Sequence, residues 1–259
     1  MKVDFGKYSA VQVEREGPVL RVWFNRPDQL NAINRDVHGE LESLFFDIDR
    51  DDETRIAVLS GRGRAFSAGG DLDWLFELNA DPAASARAIR ADRMIQTALL
   101  SLETPLIARV NGPAVGLGCS LALYCDIVIA TPQAVFIDPH VSVGLVAGDG
   151  GALIWPQLIG YMRARRYLLS GDPITGSDAE RLGLITGVAK ADELDSAVTA
   201  WEEKLLAQPD HALRWTKLSI NGGLRSIASS VLDSAAGFEN LTQILPQHRD
   251  ALNKLRDKA

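Results

Sequence analysis

The sequence has two cysteines, Cys119 and Cys125, in 259 residues. Both sit among apolar neighbours and read as buried thiols, so no disulfide framework is expected. No Cys-x-x-Cys occurs and the four histidines are scattered, so no metal site is expected from ligand spacing. A phosphate loop ending in Gly-Lys-Ser/Thr is absent. No run of about 18 apolar residues occurs, so neither a helical membrane span nor a membrane partner is expected. The start, Met1-Lys2-Val3-Asp4-Phe5, lacks the apolar centre of a signal peptide, and a cytoplasmic location is the expectation. Basic residues are too few to balance the acidic ones, 27 against 34, a net charge of −7. That argues against nucleic acid, whose phosphates need a basic surface. Low-complexity segments and fixed-period repeats are missing too. What remains is an ordinary globular balance, 46% apolar and 24% charged, with ample material for a core.

Two glycine-rich turns stand out. Ile56-Ala57-Val58-Leu59 reads as a buried strand, and Leu72, Trp74, Leu75 and Leu78 have helical spacing. Between them lies Gly61-Arg62-Gly63-Arg64-Ala65-Phe66-Ser67-Ala68-Gly69-Gly70-Asp71. A turn into a helix start leaves backbone N–H groups unpaired. Gly69 and Gly70 have no side chain to keep a ligand away and tolerate positive φ. An ordinary tight turn explains the glycines equally well. The second unit repeats the pattern: strand Pro105 to Val110, break Asn111-Gly112-Pro113, then the small-residue helix start Ala114-Val115-Gly116-Leu117-Gly118-Cys119-Ser120. Two such sets of donors aimed at one oxygen would form an oxyanion hole.

In chain order, Val11–Glu14 and Val19–Phe24 flank Gly17-Pro18 as a hairpin. Asn34 is placed to cap a helix whose apolar face is Val37, Leu41, Leu44, Phe45 and Ile48. Leu72–Ala80 reads as less regular, a candidate lid. Asp81-Pro82 starts a helix that Ile89, Met94, Ile95, Leu99 and Leu102 carry to Thr104-Pro105. Tyr124–Ala130, Ala134–Ile137 and Leu184–Ala189 read as strands. Gly148-Asp149-Gly150-Gly151 opens a helix through Leu158, and helices are expected from Tyr161 to Leu169 and from Asp192 to Gln208, the last with Leu194, Val198, Trp201 and Leu205 on one face. A helix over Pro209–Ile220 and two more between Leu224 and Lys258 complete the chain. Strand–helix alternation followed by helices makes an α/β spiral with a helical C-terminal part. We divide it into 1–195 and 196–259.

Phe66-Ser67-Ala68-Gly69-Gly70-Asp71-Leu72 and Val110-Asn111-Gly112-Pro113-Ala114-Val115-Gly116-Leu117-Gly118 resemble the two signature segments of the crotonase, or enoyl-CoA hydratase/isomerase, superfamily. Asn25-Arg26-Pro27-Asp28-Gln29-Leu30-Asn31-Ala32-Ile33 resembles its N-terminal motif, and Ser170-Gly171 through Ala179-Glu180-Arg181-Leu182-Gly183-Leu184-Ile185 its later one. The resemblance covers nearly the whole chain. It implies a ββα spiral with a C-terminal trimerisation region, assembled as a homotrimer or dimer of trimers. It implies an acyl-CoA thioester substrate, with coenzyme A as part of the substrate and no prosthetic group. Matched residue by residue, the two oxyanion donors fall on the N–H groups of Ala68 and Leu117, with Gly69, Gly70, Asp71 and Gly116 beside them. Asp71 also reads as a structural residue at a helix start.

The family's hydratases use two glutamates. Ser120 and His140 stand at those positions here. Serine is a poor base and histidine a good one near neutral pH. The stretch Asp138-Pro139-His140 through Gly148-Asp149-Gly150 resembles the β-diketone hydrolase branch of the superfamily, typified by 6-oxocamphor hydrolase. That likeness implies a His140–Asp149 pair activating water, with Glu239 as a third acidic group. The plainer alternatives are a hydrogen-bonded loop histidine, a helix-capping Asp149, a surface Glu239 and a small packing Ser120. His38, His211 and His248 read as surface residues. Arg62 and Arg64 are candidates for a nucleotide phosphate, while Arg163, Arg165 and Arg166 read as a solvated face. Three functions follow. The first is an acyl-CoA hydratase or isomerase with His140 as acid/base. The others are a CoA-independent β-diketone hydrolase and a non-catalytic acyl-CoA-binding member.

Overall fold

The computed structural model describes residues 1–257. The strands are β1 (Val11–Glu16), β2 (Val19–Phe24), β3 (Ile56–Gly61), β4 (Leu106–Val110), β5 (Ala114–Val115), β6 (Ile127–Ala130), β7 (Val135–Ile137), β8 (Ile174–Thr175) and β9 (Gly187–Val188). The helices are α1 (Arg35–Arg50), α2 (Leu72–Ala80), α3 (Pro82–Ser101), α4 (Leu117–Leu123), α5 (Gly151–Ile159), α6 (Tyr161–Ser170), α7 (Gly176–Leu182), α8 (Leu194–Leu206), α9 (Asp210–Gln243) and α10 (Pro246–Arg256).

The main sheet runs β1-β2-β3-β4-β6-β9, and a second, small sheet runs β5-β7-β8. β1 and β2 form the expected antiparallel hairpin, with Gly17 at φ +57 in its two-residue loop. From β2 to β9 the main sheet is parallel. Both its faces are covered, which explains the unbroken apolar run of β3. Ala57 and Leu59 face the principal core with α1 and α3. Ile56 and Val58 face a smaller cluster, where Leu194 and Val198 of α8 cover them. Each such buried Leu, Ile or Val contributes roughly 1.5–3 kcal/mol. Capping follows the sequence: Asn34 accepts from the Val37 N–H at 3.0 Å, and Asp81 accepts from the Ala83 N–H at 2.9 Å.

Three expectations change. Leu72–Ala80 is a regular helix, because Asp71 caps it on the Trp74 N–H. The residues from 210 to 243 form one helix rather than two, running straight through Gly222-Gly223. Each glycine costs about 1 kcal/mol there. Burial of Ala228 and Leu232, with Leu224, Ile227 and Val231 packed against the core, outweighs that cost. Finally, His38 and His248 are buried, not at the surface. Each has a partner remote in sequence: Asp92 Oδ1 lies 2.7 Å from His38 Nε2, and the Val143 carbonyl lies 2.6 Å from His248 Nδ1. His211 is exposed, as expected.

Candidate active site

The glycine turn after β3 is held by the N-terminal motif. Leu30 and Asn31 both have positive φ, 51° and 58°. The buried Asn31 amide donates to the carbonyls of Arg62 and Ala65, both at 2.8 Å. Ile33 then pairs with Gly70: its N–H donates to the Gly69 carbonyl at 2.7 Å, and its carbonyl accepts from Asp71 at 2.9 Å. The second turn is stitched to the first. Ser67 pairs with Ala114, and Val115 N–H donates to the Ser67 carbonyl at 2.9 Å. Gly118 lies so close that a Cβ there would come within 2.6 Å of Ser67 Cβ.

This stitching decides which amides are free. Ala68 N–H, expected to face the substrate, donates to the Leu30 carbonyl at 2.9 Å. It is consumed by the fold, so Ala68 is corrected as an oxyanion donor. Among the described residues, Gly70 N–H and Leu117 N–H have no backbone partner. Leu117 opens α4, where an N–H is unpaired by construction. Gly70 and Leu117 both line a cavity of about 350 Å³, with Gly69, Gly116 and Ala68. Asp71 is structural: besides capping α2, it accepts from Arg26 Nη1 at 3.0 Å.

His140, Asp149 and Glu239 line the same cavity, and all three are buried. His140 begins a short 3₁₀ turn that follows β7. Asp138, two residues earlier, holds its Nδ1 at 2.5 Å and accepts its backbone N–H at 3.3 Å. On the other ring nitrogen, Nε2 lies 3.3 Å from Asp149 Oδ2 and 3.9 Å from Glu239 Oε1. Ser120 is no mere filler: its Oγ donates to Asp149 Oδ1 at 3.1 Å. Asp149 stands two residues before α5, which has no side-chain cap, and the nearby Gly151 N–H favours its ionised form. Glu239 arrives from α9, pressed on Gly148, where a Cβ would stand 2.4 Å from Glu239 Oε2. His248 locks the end of the His140 turn through Val143, and Gln243 Nε2 lies 3.3 Å from its other nitrogen.

The electrostatics follow from this burial. Desolvation alone would push the His140 imidazole down, but Asp149 and Asp138 outweigh it and hold the ring well above its ordinary value. Burial works against Asp149 ionising, yet the His140 charge draws it below the usual carboxylate range. Glu239 is pushed well up, first by burial, which outweighs the pull of the His140 charge, and then by the charges of Asp149 and Asp92. The cluster therefore favours a protonated His140 beside an ionised Asp149, with Glu239 held neutral. Asp138, His140 and Asp149 bring ligating atoms within 4.8 Å of one another. Both ring nitrogens already face carboxylates, so a metal would have to break the Asp138–His140 bond.

Glu239 gives a stability prediction. Its folded pKa lies above its unfolded one, so the native state holds the extra proton. Stability from this group is full below the ordinary glutamate value of about 4.3 and declines as pH rises toward the folded value. Glu239→Gln removes that decline. The melting temperature of the variant relative to the parent should rise as pH goes from 4.5 toward 8. A constant difference across that range would show that Glu239 is ionised in the folded protein.

In the sequence Asp138 belongs to the Asp138-Pro139-His140 stretch, and its single local signal is the Asp-x-His spacing. The Gly70 amide had no sequence signal that separates it from Ala68. Of the arginines, Arg62 is engaged by Glu14 at 2.9 Å and stacks 3.8 Å from the Trp23 ring centre. Arg64 is exposed, as are Arg163, Arg165 and Arg166.

Comparison with known proteins identifies the family and the fold. Residues 14–247 match the profile of the enoyl-CoA hydratase/isomerase family. The short-chain-enoyl-CoA hydratase of Clostridium acetobutylicum is 33% identical over 231 residues, covering 89% of this chain and 86% of that one. A crystal structure of an enoyl-CoA hydratase/isomerase from Mycobacterium paratuberculosis superposes with a TM-score of 0.91 at 40% identity, over 95% and 98% of the two chains. A β-diketone hydrolase from the cyanobacterium Anabaena, bound to (S)-3-oxocyclohexyl acetic acid, superposes at 0.86 with 27% identity over 93% and 96%. With the expected crotonase fold present and the family profile spanning nearly all of it, the chain belongs to the enoyl-CoA hydratase/isomerase family and is an enzyme of it.

Proposed function

We propose that this enzyme acts on an acyl-CoA thioester, holding the thioester oxygen on the Gly70 and Leu117 amides while His140, Asp149 and Glu239 move protons at the neighbouring carbons. The observation that carries this reading is the pair of unpartnered amides opening on the cavity that also contains His140. Preorganised donors of this kind stabilise an oxygen as it gains enolate charge. Asp149, ionised, takes a proton from water or carbon. Glu239, neutral, returns one to the carbon skeleton. His140 lies within reach of both and passes the proton back from Asp149 to Glu239 across Nε2, so the site resets. Asp138 keeps the ring oriented and Ser120 keeps Asp149 oriented, as buried hydrogen-bond partners do. A homotrimer or dimer of trimers, in the cytoplasm and without a prosthetic group, belongs to the same reading.

A second reading is a C–C hydrolase of a cyclic β-diketone. It is favoured by the buried His140–Asp149–Glu239 cluster and by the likeness to the Anabaena hydrolase. There the same groups direct water at a ketone. Incubation with crotonyl-CoA and, separately, with cyclohexane-1,3-dione, followed by mass spectrometry, tests both. A hydroxyacyl-CoA one water heavier supports the first reading. A ring-opened keto acid with the thioester untouched replaces it with the second. A longer enoyl-CoA whose double bond moves without change of mass keeps the first as an isomerase. No change in any of these overturns both.

A further inference from the structure

A second ionisable pair lines the cavity, outside the His140 cluster. His38 on α1 and Asp92 on α3 are joined at 2.7 Å through His38 Nε2, and their side chains are 4% and 13% exposed. The Trp74 ring of α2 lies 4.9 Å from the imidazole. All three residues line the cavity that contains Gly70, Leu117 and His140. The wall around them is mostly apolar, with Leu75, Leu78, Ala88 and Ile89; the one polar neighbour on α3, Ser85, already donates its hydroxyl to Asn240 at 2.9 Å.

A pocket built for a plain hydrocarbon tail gains nothing from such a pair. Burying two charged groups costs several kcal/mol each before their attraction offsets it, and well-packed apolar residues often serve stability as well or better. The pair does tie α1 to α3, but one hydrogen bond between them uses only part of its capacity. His38 Nδ1 and Asp92 Oδ2 have no hydrogen-bond partner among the described residues. Neither belongs to the unpartnered atoms sealed in the interior, so both remain reachable. His38 also borders a smaller recess beside Arg35, Glu42 and Arg87, which leaves Asp92 as the member facing the main cavity alone.

We infer that His38 and Asp92 form a second polar pole of the cavity, selecting a substrate whose acyl group carries a carbonyl or hydroxyl oxygen remote from the reacting carbonyl. This rests on the placement of the reacting carbonyl at Gly70 and Leu117 proposed above. The His38 ring supplies the donor to that remote oxygen, and Asp92 fixes the ring and accepts from a hydroxyl. A substrate lacking the oxygen leaves these buried groups unpaired, which is how a polar site rejects an apolar analogue.

The test compares calorimetric binding of hexanoyl-CoA with its 4-oxo, 5-oxo and 5-hydroxy counterparts, none of which needs to react. The parent enzyme should favour at least one oxygenated ligand by roughly tenfold or more. In the double variant His38→Leu/Asp92→Leu that ratio should fall to near one. Asp92→Asn, which keeps a hydrogen bond to His38, serves if the double variant does not fold, and should shrink the ratio for the hydroxy ligand. A parent without preference, or a variant that retains it, overturns the inference. If no CoA ester binds at all, it is the acyl-CoA reading that fails. The same ratio is then measured for cyclohexane-1,3-dione against cyclohexanone, where a preference lost in the variant keeps the polar pole and an unchanged one removes it.

Discussion

His140→Ala should lower turnover by about 100-fold or more while the ligand still binds, the scale expected when a positioned acid–base group is lost. The geometry behind this is the position of the ring. Asp138 holds one nitrogen, and Asp149 and Glu239 stand around the other at 3.3 and 3.9 Å. Removing the imidazole leaves the buried Asp138 and Asp149 without their cation, and uncompensated buried charge costs about 3–5 kcal/mol. A drop in activity from alanine alone would therefore mix lost chemistry with lost stability. His140→Gln separates them. Its amide nitrogen takes the place of Nε2 and can still donate to Asp149, but it has no proton to transfer. The expectation is a loss of similar size in kcat, with a melting temperature nearer the parent and a dissociation constant within a few fold. Full turnover in the glutamine variant would take His140 out of the reaction.

The second large effect is expected at an amide, not a side chain. Leu117 is the first residue of α4, a position where proline is tolerated because its missing N–H was unpaired in any case. Gly116 precedes it and offers no Cβ for the proline ring to strike. Leu117→Pro therefore deletes the proposed oxyanion donor at little cost to the helix. The rate should fall by roughly 100- to 1,000-fold, the usual consequence of losing one such donor. Leu117→Ala keeps the N–H and is the control; it should lose no more than about tenfold, through the missing side-chain contact. Equal rates in the proline and alanine variants would mean that the Leu117 amide does not meet the charge that develops.

Local chemistry accounts for what was legible in the chain. β3 could be read as a buried strand because a parallel strand covered on both faces needs apolar residues at every position. Asn34 and Asp81 could be read as caps because a cap acts on residues two or three positions away. The face of α8 followed from helical period, and Leu194 and Val198 lie where that period puts them. His140 and Asp149 could be named together because only a short loop separates them. By contrast, His38 and His248 looked solitary because their partners lie 54 and 105 positions away. The long α9 was read as broken at Gly222-Gly223 because propensity was visible and the packing of its far side was not.

The choice between Ala68 and Gly70 has the same origin. Sequence alone established two glycine turns, each between a strand and a helix, and a histidine nine positions before an aspartate. Those are properties of residue type and short spacing. Which amide remains free depends on the register of residues 67–71 against Leu30–Ile33, and that pairing spends the Ala68 N–H on the Leu30 carbonyl. The arrival of Glu239 beside His140 likewise depends on α9 folding back across the core. Hydrogen-bond capacity is finite, and the tertiary structure decides which groups have already used theirs.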